Sequence, residues 1–129
     1  MARIVYAEDD ELIAEHVRET LSEAGYVVGI VNDGISALQA IKIKHPDLVI
    51  LDAEMPGLPG PEVLRKMRTD PKLFDIPVLM LTARRSKGDE DLAKYAGANE
   101  YLRKPYDPDQ LVAVVNSLVP DAPKRRAFG

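Results

Sequence analysis

With 129 residues, 46% of them apolar, the chain is long enough to bury a core without covalent staples, and its lack of cysteine excludes a disulfide framework, thiolate catalysis and Cys-based metal sites. Net charge is −4, from 21 acids against 17 bases; the last ten residues, with one acid and three bases, carry +2, so the body holds six net negative charges and argues against broad nucleic-acid binding. No apolar run approaches the roughly 18 residues of a membrane span, and Met1-Ala2-Arg3-Ile4 enters a strand directly with no signal peptide, so no membrane insertion and a cytoplasmic location are expected.

Ile4-Val5-Tyr6-Ala7 is a short apolar strand ending in Glu8-Asp9-Asp10. A helix follows, with Ile13, Val17, Leu21 and Ala24 at spacings of three and four, and Gly25 stops it. Val27 to Val31 is the second strand; Asn32-Asp33-Gly34 turns into a helix carrying Ile35, Leu38 and Ile41 on one face, ending before His45-Pro46. Leu48-Val49-Ile50-Leu51 reads as a strand buried on both faces, with Asp52 at its end and a Met55-Pro56-Gly57 loop beyond. Val63, Leu64 and Met67 mark a third helix that Thr69-Asp70-Pro71 closes. Pro77 to Leu81 is a fourth buried strand, running into Thr82-Ala83. Ser86-Lys87-Gly88-Asp89 resembles a capping box, and its helix runs to about Ala96-Gly97. A weak strand, Glu100-Tyr101-Leu102, leads to Lys104-Pro105. Asp107-Pro108-Asp109-Gln110 caps the last helix, Leu111 to Val119.

Five β-α units with short connections predict one α/β domain over residues 1–119, a parallel sheet between two helix layers. The right-handed crossover rule favours a flavodoxin-like (βα)5 sandwich with strand order 2-1-3-4-5. Residues 120–129, with two prolines and Lys124-Arg125-Arg126, read as a flexible basic tail or linker stub.

In that order the first, third and fourth strands are neighbours, so Glu8, Asp9 and Asp52 converge on one crevice outside the strands' carboxyl ends. Adjacent carboxylates raise one another's pKa unless a cation intervenes. Two or three carboxylates, a backbone carbonyl and waters suit Mg²⁺, with Mn²⁺ as a substitute. Lys104 adds a positive charge that can reach a phosphoryl oxygen, and the Thr82 hydroxyl and Ala83 backbone N–H offer donors on the same rim. A carboxylate nucleophile, a metal, a lysine and a hydroxyl are parts for receiving a phosphoryl group.

From Arg3 to about Val119 the chain resembles a receiver domain of a two-component response regulator, of the chemotaxis-type, single-domain kind, on Glu8-Asp9, Asp52, Met55-Pro56-Gly57, Thr82-Ala83, Tyr101 and Lys104-Pro105. The resemblance implies that Asp52 accepts a phosphoryl group from a phosphohistidine on a sensor histidine kinase or histidine phosphotransfer protein in bacterial signalling. It implies Mg²⁺ held by Glu8, Asp9, Asp52 and the main-chain carbonyl of Glu54. Thr82 and Lys104 would hold the phosphoryl oxygens, Tyr101 would turn inward as Thr82 moves, and the Lys104-Pro105 bond would be cis.

Some positions depart from the pattern. Pro59 stands where many relatives carry Asp before the glycine, which points to a different start for the third helix. Asp10 makes a third consecutive acid and reads as helix-start charge facing the amide dipoles. Glu54 and Arg84 stand two places beyond Asp52 and Thr82, and are expected to pair across the crevice mouth and hinder the hydrolytic water. His16 and His45 lie away from the strand ends and read as surface residues.

The leading function is a phosphorylation-dependent switch, a phosphoacceptor rather than an enzyme with turnover. Its output is expected through the face of the fourth helix, fifth strand and fifth helix, where Lys94, Tyr95, Tyr101, Arg103 and Tyr106 are candidates to contact a downstream protein. About ten residues follow the last helix, so no direct DNA binding is expected, and the chain is read as a monomer or a phosphorylation-dependent dimer. The alternatives are a receiver-like scaffold using the basic tail for an anionic ligand or partner, and, more remotely, a Mg²⁺-dependent phosphatase with an aspartyl nucleophile. The intact set Glu8, Asp9, Asp52, Thr82 and Lys104 weighs against the scaffold; Glu54, where such phosphatases carry a second Asp, weighs against the enzyme.

Overall fold

The computed structural model describes residues 2–83 and 87–119. Strands and helices alternate: β1 (Arg3–Ala7), α1 (Glu11–Glu23), β2 (Val27–Val31), α2 (Gly34–Lys44), β3 (Leu48–Asp52), α3 (Gly60–Arg68), β4 (Val78–Thr82), α4 (Lys87–Tyr95), β5 (Glu100–Arg103) and α5 (Pro108–Leu118). All strand pairs are parallel, in the order β2-β1-β3-β4-β5 that the alternation predicts.

The central strand explains the layering. Successive side chains of a strand point to opposite faces, so β3 feeds two cores at once. Val49 and Leu51 join Ala37 and Ile41 of α2, Val63, Leu64 and Met67 of α3 and Ala93 of α4. Leu48 and Ile50 join Ala14, Val17 and Leu21 of α1 and Leu111 and Val115 of α5. The four β3 side chains are fully buried, each worth roughly 1.5–3 kcal/mol of transfer free energy. β2, paired on one edge only, leaves Val27 half exposed.

Carboxylates start three of the helices. Asp10 accepts from the amides of Leu12 (3.0 Å) and Ile13 (3.1 Å), Asp33 from the Ser36 amide (2.7 Å), and Asp107 from the Asp109 amide (2.9 Å) with Pro108 in the first turn. Asp10 thus spends itself on α1. α3 starts differently: Pro59 supplies no side-chain cap, and the Gly60 amide donates to the Ala53 carbonyl at 3.1 Å. A Cβ on Gly60 would stand 2.3 Å from the Asp52 carbonyl oxygen, so only glycine lets α3 begin this close to the end of β3.

Two helix faces differ from the expected periodicity. α1 turns Ala14, not Ile13, to the sheet, and Ile13 is 37% exposed; α2 buries Ala37 while Ile35 is 56% exposed. The buried stripes run through Ala14, Val17 and Leu21 and through Ala37 and Ile41, at spacings of three and four, which leaves Ile13 and Ile35 off the inward face. Ala24, expected on the α1 stripe, is that helix's exposed C-cap residue. Ser86, Arg84 and the tail 120–129 lie outside the described residues, and with them the expected capping box, the Glu54–Arg84 pair and the basic run. Among the described residues no helix is long and apolar enough to cross a membrane.

Candidate functional site

The crevice is assembled from the C-terminal ends of four strands. Beyond β1, the Glu8 amide donates to the Val31 carbonyl at 3.0 Å, carrying Glu8 inward at 2% exposure, while Asp9 faces solvent. β3 delivers Asp52 and β4 delivers Thr82, both buried. Beyond β5 the Lys104 amide donates to the Thr82 carbonyl at 2.7 Å, and the Lys104–Pro105 peptide is cis.

Lys104 binds the site together. Its Nζ donates to Glu8 Oε1 at 2.9 Å and to Asp52 Oδ2 at 3.2 Å. The second oxygen of each carboxylate takes a main-chain donor: Asp52 Oδ1 from the Glu54 amide at 3.2 Å, Glu8 Oε2 from the Asp10 amide at 3.2 Å. Burial pushes the Glu8 carboxyl up, the bond to Lys104 pulls it down and Asp52 pushes it up again; the net direction is upward. For Lys104 burial works to lower the ammonium pKa, but the bond to Glu8 and the charge of Asp52 outweigh it, and the pKa is raised.

One oxygen each of Glu8, Asp9 and Asp52 lie within 4.8 Å of one another. Among the described residues, three carboxylates stand against one ammonium, a surplus of negative charge that suits a divalent cation. An octahedral ion with oxygens at about 2.0–2.1 Å needs an all-oxygen set of this compactness. The residues fit Mg²⁺. Glu54 sits in the loop beyond β3 with an exposed side chain, and Ala83, also exposed, follows Thr82.

Tyr101, in β5 opposite Met80, packs against the Val49/Leu51 core with its hydroxyl buried. It lines a cleft of about 380 Å³ between α3 and α4, with Ala53, Met80, Arg65 and Leu92. On the same side Arg103 Nη2 donates to Glu90 Oε1 at 2.8 Å, and Lys94 Nζ lies 3.4 Å from Glu90 Oε2. Tyr95 is 93% exposed. Tyr106 belongs to the opposite core, beside α1 and α5. His16 and His45 are exposed, and His45 Nε2 lies 2.6 Å from the Lys72 carbonyl oxygen, far from the carboxylates in the sheet.

Two residues escaped the sequence reading. Tyr6 Oη donates to Glu8 Oε1 at 3.3 Å from full burial; its signal was a phenol two positions before Glu8, on the same face of β1. Arg68, at the end of α3, donates to the carbonyls of Gly97, Phe74 and Ile76 and to Asn99 Oδ1. Nothing local in the sequence marks it.

Residues 4–116 match the family described as the response regulator receiver domain. The chain is 39% identical over 117 residues to the response regulator MprA of Mycobacterium leprae, covering 91% of this chain and 50% of that protein; it spans about half the length of the curated relatives it matches. Among solved structures, the chemotaxis protein CheY4 of Vibrio cholerae superposes with a TM-score of 0.86 at 31% identity, covering 92% of this chain and 99% of that one. The receiver domain of the sensor histidine kinase PA1611 of Pseudomonas aeruginosa, solved with a magnesium ion coordinated in its active site cleft, gives 0.84 at 28% identity over 91% and 96% of the two chains.

Proposed function

The chain belongs to the response regulator receiver domain family, and from that membership we propose a phosphorylation-dependent signalling switch whose phosphoacceptor is Asp52. The observation that carries this reading is the single ammonium of Lys104 shared between Glu8 and Asp52 at the strand ends. A carboxylate oxygen of Asp52 attacks the phosphorus of a phosphohistidine on a sensor kinase or phosphotransfer protein. The O–P bond forms, the P–N bond breaks, and the electron pair returns to the imidazole. Lys104 moves from the Asp52 carboxylate to a phosphoryl oxygen, while the Thr82 hydroxyl, at the adjoining strand end, donates to another. Glu8, Asp9, Asp52 and the main chain of Glu54 would hold Mg²⁺, or Mn²⁺ in its place, which would supply positive charge opposite the phosphoryl oxygens. The acidic cluster supports the metal, as does the magnesium in the cleft of the PA1611 receiver.

Recruitment of Thr82 stabilises the inward position of Tyr101, whose hydroxyl is already buried here, and so biases a two-state equilibrium of the α4-β5-α5 face. The exposed Tyr95 and the Glu90 pairs with Lys94 and Arg103 lie on that face, where the downstream protein docks. The domain is a phosphoacceptor that assists its own phosphorylation and dephosphorylation, and works in the cytoplasm.

The test is incubation of the chain with Mg²⁺ and acetyl phosphate, followed by intact-mass measurement. One phosphoryl group is expected on the parent and none on Asp52→Asn. An unchanged parent mass, or equal labelling of the variant, sinks the reading.

A further inference from the structure

We propose that Tyr6 is a positioning residue of the metal site, holding the Glu8 carboxylate in the orientation in which it faces Lys104 and the cation. The inference rests on the Mg²⁺ reading above and adds a residue to it.

Tyr6 is 0% exposed, inside the core that β1 shares with α1 and α5. A phenol O–H in such a place must spend its proton on a protein acceptor. Strand geometry supplies one: residues two apart point to the same face, so the Tyr6 ring rises alongside the Glu8 side chain. The hydroxyl reaches Glu8 Oε1 at 3.3 Å, the same oxygen that accepts from Lys104 Nζ at 2.9 Å, while Oε2 is occupied by the Asp10 amide at 3.2 Å. Glu8 therefore has three donors, and only Lys104 among them is called away when a phosphoryl group arrives. Once the lysine leaves, the Tyr6 hydroxyl and the Asp10 amide remain to fix the plane of the carboxylate.

A residue that only fills the core is replaced by phenylalanine without touching the metal, whereas one that orients a ligand is not. Loss of an outer-shell partner typically costs a metal site about 10–100-fold in affinity; for a hydroxyl–carboxylate bond longer than the usual range of about 2.5–3.0 Å the loss is set lower, at about threefold or more. The measurement is Mg²⁺ binding to the full chain by ¹H–¹⁵N amide-shift titration, with no phosphodonor present. In Tyr6→Phe the Asp10 amide, which reports the Glu8 carboxylate directly, shifts in the metal-free protein, and the Kd for Mg²⁺ rises threefold or more at an unchanged fold. In a Glu8→Gln background the same substitution changes Kd by less than threefold, because Tyr6 acts through Glu8. A change below threefold in the Tyr6→Phe single variant, or an equal loss in both backgrounds, overturns the inference while leaving the metal site standing. A parent that fails to bind Mg²⁺, or an Asp9→Asn variant that binds it as well as the parent, overturns the metal reading and this inference with it.

Discussion

Lys104 Nζ stands 2.9 Å from Glu8 Oε1, and this pair lets Glu8 and Asp52 be buried side by side. Removing the lysine leaves Glu8 and Asp52 facing each other with no cation between them. Lys104→Met is expected to cost about 1–3 kcal/mol of stability in the presence of chelator, the cost of an uncompensated partly buried charge. Mg²⁺ restores more stability to the variant than to the parent, because it supplies the missing positive charge. Urea unfolding with EDTA and with Mg²⁺ checks both statements; equal Mg²⁺ gains in the two proteins refute the second.

Glu8 gives the metal-free protein a pH dependence of definite sign. Its folded pKa is raised above 4.5, chiefly by burial, so between that value and the folded one the native state binds more protons than the unfolded chain. Stability from this group falls as pH rises through that window. Lys104 acts the same way in another range: its raised ammonium pKa adds stability that is complete below 10.5 and is lost as pH rises through the folded value. Thermal midpoints of the parent minus those of Glu8→Gln, in chelator, are expected to decrease with rising pH above about 4.5. A difference that is flat or increases contradicts the assignment.

Gly60 couples the start of α3 to Asp52, the proposed phosphoacceptor. A Cβ there would meet the Asp52 carbonyl oxygen at 2.3 Å and the Ala53 Cα at 3.1 Å, both main-chain atoms that cannot swing aside. Gly60→Ala is expected to lose about 2–4 kcal/mol by overpacking and to lower the yield of aspartyl phosphate, since relief of the clash displaces Asp52. Denaturation and intact-mass labelling report the two effects; a variant as stable as the parent removes the basis for both.

Arg68 holds a seam rather than a site. Its guanidinium makes five hydrogen bonds, to Gly97 O twice and to Phe74 O, Ile76 O and Asn99 Oδ1. Arg68→Met strands those acceptors and is expected to cost about 2–4 kcal/mol. Arg68→Lys recovers less than half of it, because one ammonium cannot reproduce the planar fork. Amide exchange in residues 97–99 is expected to accelerate in step with the loss; unchanged exchange there is the contrary outcome.

Substituting Tyr101 tests its proposed switch role. Tyr101→Ala is expected to take up a phosphoryl group from acetyl phosphate as the parent does, yet to show smaller phosphorylation-dependent amide shifts in α4. Shifts in α4 equal to those of the parent deny Tyr101 a switch role.

Much of this molecule was legible from short-range pattern. Apolar runs such as Leu48 to Leu51 and Val78 to Leu81 identify strands buried on both faces, and strands of that kind in alternation with helices admit few topologies. The same runs say where each strand stops, so Glu8, Asp52, Thr82 and Lys104 could be assigned to one rim before any distance was known. Asp107 could be read as a cap, and Asp10 as helix-start charge, because each acts within three residues of itself.

Tertiary structure decided what depends on distances between elements. The sharing of Lys104 between Glu8 and Asp52 joins atoms 96 and 52 residues apart, and no periodicity encodes an oxygen's position to within an ångström. Packing set Ala14 rather than Ile13 on the inward face of α1, where it shares the buried stripe with Val17 and Leu21 at spacings of three and four. Arg68 could be valued only once the carbonyls of Gly97 and Ile76 had been brought to it. Local chemistry determined which groups would stand at the crevice; the parallel register and two interdigitated cores determined which atoms touch there, because only close packing holds charged groups at hydrogen-bond distance.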